Sequence, residues 1–188
     1  MIIIGVTGTL GAGKGEVVSY FKQKGFAHFS VRSFLLEEMG RRGIPITRDN
    51  MTSFADDLRK THSPSYLLEQ MYYQAVKNGH NAVLESVRAL GELDFLRTNA
   101  SKDPSMKFYL VAVDADPKIR YERIVRRKSA LDNVSFEQFI ADEKREMGSS
   151  DPNRGNISKC IQLADITIVN EGSLEDLHAQ MKKAFQGI

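Results

Sequence analysis

Apolar residues along this chain recur at two spacings, and the switches between them mark its elements. Ile2 to Val6 is an unbroken apolar run of strand length, after which Val17, Val18 and Phe21 recur at helical spacing to about Lys24, where Gly25 supplies a stop. Phe26-Ala27-His28-Phe29-Ser30 reads as a second strand, with His28 at its solvent side or core edge and no partner suggested nearby. The next segment is helical. Ser33 caps a helix through Met39 that ends near Gly43, another starts in the cluster Thr47-Arg48-Asp49-Asn50, and a third runs from Pro64 to Asn78. Asn81 to Leu84 is the third strand, ending at Glu85; Leu93, Phe95 and Leu96 fit a short helix before a polar loop from Thr98 to Ser105. Lys107 to Val113 is a long apolar strand of the kind buried in parallel sheets. Pro117 opens a helix from its first position, and Ser135 with Gln138 forms a capping box for another that reaches Met147. After a polar loop from Gly148 to Gly155, Ala164 to Asn170 is the last strand and Leu174 to Phe185 the closing helix. Strands alternating with helices predict an α/β fold, a three-layer, doubly wound, parallel five-stranded sheet with right-handed crossovers.

Composition narrows the class. At 188 residues the chain makes one domain with room for an inserted lid, and a net charge of +2 gives no argument for a nucleic-acid or membrane partner. The single cysteine, Cys160, excludes an internal disulfide and suits a reducing cytoplasm. The start MIIIGVTG lacks the basic region of a signal peptide, and no run approaches membrane-spanning length. The expected location is cytoplasmic.

Chemistry concentrates where the first strand meets the first helix. Gly8-Thr9-Leu10-Gly11-Ala12-Gly13-Lys14 matches G-x-x-x-x-G-K in the strand–turn–helix context that a phosphate-binding loop requires. Glycines let backbone N–H groups converge on phosphate oxygens, the helix N-terminus adds positive potential, and Lys14 adds a point charge. The loop then departs from the common pattern. Gly15 and Glu16 stand where Ser or Thr would present a hydroxyl to Mg²⁺. Glu16 either holds metal through water or favours the first helical turn by its charge. Glu85, closing a central strand, is where a metal-organising carboxylate is expected. Arg88 either grips an acceptor phosphate or pairs with Glu92. The helix after Pro117 carries Arg120, Arg123, Arg126, Arg127 and Lys128, either a solvated basic face or a group that neutralises a transferring phosphate.

Taken together, GVTGTLGAGKG, MGRRGIPITRDNM, ESVR, DADPKIRYERIVRR and ADITIVNEGSLEDL resemble the P-loop nucleoside monophosphate kinases over nearly the whole chain. Three groups are similar: the archaeal adenylate-kinase-related family, dephospho-coenzyme A kinase, and the kinase-like domain joined to some deoxycytidylate deaminases. The last is similar over SVRSFLLEEM and Ser150-Asp151-Pro152-Asn153. The resemblance implies a core of 1–31, 80–122 and 160–188, an acceptor-binding segment at 32–79 and a small helical lid at 123–158. It implies ATP and Mg²⁺ as cofactors, with Gly8, Gly11, Ala12, Gly13, Lys14, Gly15 and Glu16 on the donor phosphates and Asn170 near the adenine. Arg32, Arg59 and Arg88 would face the acceptor phosphate. Arg123 and Arg127 would lie at the root of the lid, with Glu85 or Glu16 reaching metal through water. Ser33 and Leu36 depart from the Asp and Arg that open the acceptor helix in the archaeal relatives, so Arg32 is the expected substitute. The implied activity is phosphoryl transfer to a small-molecule acceptor, a nucleoside monophosphate first. The alternatives are a hydroxyl acceptor such as dephospho-coenzyme A, with Glu85 as base, and an ATP-binding regulatory module associated with a dCMP deaminase.

Overall fold

The computed structural model describes residues 1–127, 134–149, 151 and 154–188. Among them β1 (Ile2–Gly8), α1 (Lys14–Gln23), β2 (Ala27–Ser30), α2 (Val31–Arg41), α3 (Arg48–Thr61), α4 (Tyr66–Asn78) and β3 (Ala82–Glu85) come first. They are followed by α5 (Leu90–Ser101), β4 (Lys107–Asp114), α6 (Pro117–Arg127), α7 (Phe136–Met147), α8 (Ile157–Gln162), β5 (Ile166–Val169) and α9 (Leu174–Ala184). The strands form one parallel sheet in the order β2-β3-β1-β4-β5.

Period-two alternation divides the core between the two faces of this sheet. Ile3, Leu84 and Leu110 point to one side, where Leu67, Leu68, Met71, Leu93 and Leu96 of α4 and α5 cover them. Ile4, Val6, Val111 and Val113 point to the other, against Val17 and Phe21 of α1 and Leu177 and Met181 of α9. With β1 central, the carboxyl ends of β1, β3 and β4 meet at the position where chain order reverses, which is where open α/β sheets bind ligands. No helix among the described residues is long and apolar enough to cross a membrane.

Several local expectations are corrected. Ser33 does not cap α2: Ser30 does, its hydroxyl accepting from the Ser33 amide at 3.3 Å, so β2 passes into helix without a loop. The helix built on Leu93 and Leu96 is longer than predicted at both ends: Glu92 starts it early by accepting from the amides of Arg88 and Ala89, and it continues to Ser101, burying Ala100 and absorbing the first part of the expected polar loop. Ser135 caps α7 as expected, but Gln138 turns forward to Asp142 rather than back to the cap. The short helix α8 is unforeseen; its six residues bury Ile157 and Cys160 but give too short a run for periodicity to register. Lys128, the start of the segment read from Asp132, and Ser150, Pro152 and Asn153 of the deaminase-linked likeness lie outside the described residues.

Candidate functional site

The loop between β1 and α1 is built so that its backbone faces outward. Gly8 and Gly13 have φ of 132° and 106°; a Cβ on Gly8 would lie 2.0 Å from the Val113 carbonyl oxygen, and one on Gly13 2.5 Å from Asn170 Nδ2. The surrounding chain holds the loop from beneath. Asn170 donates from Nδ2 to the Ala12 carbonyl (2.8 Å), Arg120 to the Leu10 carbonyl (3.2 Å), and the Thr9 hydroxyl to Asp114 (2.6 Å). The Ala12 amide bonds the Thr9 carbonyl and the Glu16 amide bonds that of Gly13, whereas the amides of Gly11, Gly13, Lys14 and Gly15 have no acceptor among the described residues. Four convergent N–H groups at a helix N-terminus fit the oxygens of a polyphosphate.

Lys14 folds over this loop, donating from Nζ to the carbonyls of Gly8 (2.9 Å) and Thr9 (2.7 Å), which leaves its third N–H for a ligand. Burial pushes its pKa down to about 7; Arg88 pushes in the same direction, and Glu85 opposes.

Glu85 stands beside the loop, paired in register with Val6. His28, read from sequence as having no partner, has Nε2 3.0 Å from Glu85 Oε2, because β2 lies directly against β3. That hydrogen bond, with the charges of His28, Lys14 and Arg88, holds the Glu85 carboxyl below its ordinary range against the opposing effect of burial. Ser86 follows with φ of 78°, a left-handed conformation that in a serine costs about 1–3 kcal/mol and that two bonds, from the Ser86 and Val87 amides to the Val6 carbonyl, maintain. Among the described residues no group of three or more His, Cys, Asp or Glu side chains that could hold a metal ion is present; Glu85 and Glu16 are the carboxylates that line the cleft beside the loop. Glu16 faces His178 at 3.9 Å, near the cleft mouth.

Loop and carboxylate open into a cleft of about 1420 Å³, lined also by Arg32, Arg88, Arg123 and Arg127. The structure places the expected arginines unequally. Arg88 lines the cleft and donates to Glu146 of α7 at 3.0 Å; it does not pair with Glu92, which takes its backbone N–H. Arg59, expected at the acceptor phosphate, lines the cleft but is 4% exposed and bonded through Nε and Nη2 to the fully buried Glu92 and through Nη1 to Asp56 (3.2 Å). Arg32 is exposed at the start of α2. Arg123 donates to the Asn170 carbonyl at 2.9 Å, tying α6 to the end of β5. Asn170, expected near the adenine, is buried against the loop, and Gly172 and Leu174 line the cleft beyond it.

Arg120, read as part of either a solvated basic face or a phosphate-neutralising group, is 2% exposed and bonds Glu143, while its guanidinium lies over the Phe139 ring; the α7 face that receives it, and Arg48, escaped the sequence reading. Phe139, Asp142, Glu143 and Glu146 are spaced along one face of α7, and this spacing was the available signal. Arg48, at the start of α3, lines the cleft with Nη1 shielded from solvent and without a hydrogen-bond partner among the described residues. An unmade bond of this kind costs about 1–3 kcal/mol.

Comparison with known proteins places this geometry. An AAA-domain family profile matches residues 4–147. A UPF0200 protein of Hyperthermus butylicus is 33% identical over 183 residues, covering 97% of this chain and 92% of the relative. Among solved structures, TT1252 from Thermus thermophilus superposes with a TM-score of 0.63 at 18% identity, covering 100% of this chain and 97% of that one. Shikimate kinase from Bacteroides thetaiotaomicron gives 0.59 at 12% identity, covering 97% and 95%. These likenesses show an α/β P-loop fold of the kind found in kinases.

Proposed function

The chain belongs to the AAA-domain family and is a UPF0200 relative, and from that premise we propose that it is an ATP-dependent phosphotransferase acting on a small phosphorylated acceptor, a nucleoside or deoxynucleoside monophosphate. One observation carries this reading: the phosphate loop with Lys14, the strained Glu85–Ser86 turn and Arg88 share one cleft, which continues between α2 and α3 past Val31, Leu35 and Met51. The donor end is charged and the acceptor end has an apolar wall of the kind that takes a base.

In the reaction, an acceptor phosphate oxygen forms a bond to the γ-phosphorus as the bond to the β–γ bridging oxygen breaks, and ADP leaves with that electron pair. Positioning and charge neutralisation are the protein's contributions. The loop amides and Lys14 hold the β- and γ-phosphates, Arg88 orients the acceptor, and Arg123 and Arg127 lie at the root of a lid formed by 123–158. Mg²⁺, held on the phosphates with Glu85 reaching it through water, would supply further neutralisation. The core at 1–31, 80–122 and 160–188 carries the donor site, and 32–79 carries the acceptor site.

A second reading has a specific support. Glu85, kept ionised and oriented by His28, has the chemistry of a general base, which a hydroxyl acceptor such as dephospho-coenzyme A requires and a phosphate acceptor does not. ADP formation with AMP, CMP, dCMP or dephospho-coenzyme A as sole acceptor separates the two. Turnover with dephospho-coenzyme A alone would sink the first reading. ATP binding with no turnover across the set would leave a regulatory module, the form in which association with a dCMP deaminase is to be sought.

A further inference from the structure

In the cleft that holds the loop and Glu85, Arg48 of α3 and Arg88 from the turn after β3 both approach one carboxylate, Glu146 of α7. Arg48 Nη2 lies 3.8 Å from Glu146 Oε1, and Arg88 Nη1 donates to Glu146 Oε2 at 3.0 Å. Arg48 Nη1 lies 3.8 Å from Asp142 Oδ2, too far for a hydrogen bond, while Gln138 (2.7 Å) and Arg145 both donate to the other oxygen, Oδ1. Both Arg48 separations are within Coulomb range and beyond hydrogen-bond range, and Nη1 is the shielded donor without a partner.

The placement of Arg48 is also unfavourable for its own helix. It occupies the first turn of α3, where the helix dipole disfavours a cation, and Thr47 already caps that end by accepting from the Asn50 amide at 3.1 Å. Helix formation therefore gives no reason for an arginine there. Two guanidinium groups, each turned toward a different oxygen of one anion, form the arrangement that grips a phosphate, and Glu146 occupies the position that phosphate would take.

Resting on the reading of the chain as a kinase for a phosphorylated acceptor, we infer that Arg48 and Arg88 together bind the acceptor's phosphate and that Glu146 is the internal anion it displaces. Arg48 is then the residue that makes the site select phosphomonoesters over acceptors offering only a hydroxyl. Displacement of Glu146 releases α7 from Arg88 as the acceptor enters.

Orthophosphate titrated into the full chain, with the nucleotide site saturated by a non-hydrolysable ATP analogue, tests this by calorimetry or NMR shifts. Arg48→Ala should weaken orthophosphate about tenfold or more, and Arg48→Lys, which keeps charge but loses the fork, should recover part of the loss. Glu146→Gln, nearly isosteric, should tighten orthophosphate about tenfold, and it reads out the competition even if Arg48→Ala fails to fold. Affinity for the analogue should stay constant in both Arg48 variants, and each variant is compared with the analogue at saturation. Unchanged orthophosphate affinity in Arg48→Ala or in Glu146→Gln overturns the inference. The parent reading fails separately: these signatures without ADP formation on any acceptor would leave the clamp and remove the transfer, whereas turnover indifferent to Arg48→Ala would do the reverse.

Discussion

At the scale of single residues, Lys14 links the electrostatics of the loop to a measurable pH dependence. Burial and Arg88 lower its pKa to about 7, with Glu85 and Glu146 opposing and Arg120 reinforcing, so above neutrality the amine of the free protein is largely uncharged. A bound polyphosphate restores the charge, and binding therefore takes up a proton. Affinity for ADP should fall as pH rises from 7.5 to 9, by up to about tenfold per unit, and the residual binding of Lys14→Ala should lose that slope. Calorimetry in buffers of different ionisation enthalpy reads the proton uptake directly; a flat affinity across this range would refute it. The neighbouring position gives a second expectation. A Cβ on Gly15 meets nothing within 4 Å, so Gly15→Ser adds the hydroxyl missing from this loop without a clash. It should favour α1 by about 0.5 kcal/mol and strengthen the dependence of ATP affinity on Mg²⁺. Weaker ATP binding in that variant would mean that the phosphates themselves need the space. The loop was legible in the sequence because its determinants lie within a few consecutive residues. The Glu85–His28 bond and the Arg48–Glu146 approach were not legible, since 57 residues separate the first pair and the second joins α3 to α7.

At the scale of elements, the distinction between a structural and a functional arginine is set by what each helix brings to it. Arg59 and Arg88 looked equivalent as candidates, yet α5 delivers Glu92 into the core, where Oε1 accepts twice from Arg59 while Oε2 accepts the amides of Arg88 and Ala89. One carboxylate thus fixes α3, starts α5 and orients the turn that carries Arg88. Glu92→Gln leaves the buried Arg59 guanidinium with only the partly exposed Asp56 as counter-charge and should destabilise the protein by about 2–3 kcal/mol in denaturant titrations with unchanged m-value. A loss below about 1 kcal/mol would show that Arg59 can turn toward the cleft, restoring it as an acceptor ligand. Helix periodicity found α3 and α4 because each buries a stripe, while Pro117 and the Ser135 cap marked the starts of α6 and α7. Periodicity missed α8 and cut α5 short, since a six-residue helix has no full stripe and the start of α5 is held by the Glu92 side chain accepting from the Arg88 and Ala89 amides rather than by an apolar repeat.

At the scale of the whole molecule, the order β2-β3-β1-β4-β5 converts separate strand ends into one cleft, and that order is not written in any single element. Alternation of strands and helices implied a parallel sheet. The central place of β1 follows only when β3 and β4 settle on either side of it, bringing Glu85 and Asp114 beside the loop. The loop is then braced from three directions: Asn170 at the end of β5, Arg120 on α6, and Asp114 at the end of β4. A ligand on this loop acts on all of them together, so nucleotide binding should raise global rather than local stability. At a free ADP concentration about 100 times its dissociation constant the gain is about 2.7 kcal/mol, which for a domain of this size raises the melting temperature by roughly 5–10 °C. Amide hydrogen exchange in β1, β4 and β5 should slow along with it, since these strands open only when the sheet does. A melting temperature raised by ADP with protection confined to the loop would show that the bracing is too weak to couple the site to the sheet.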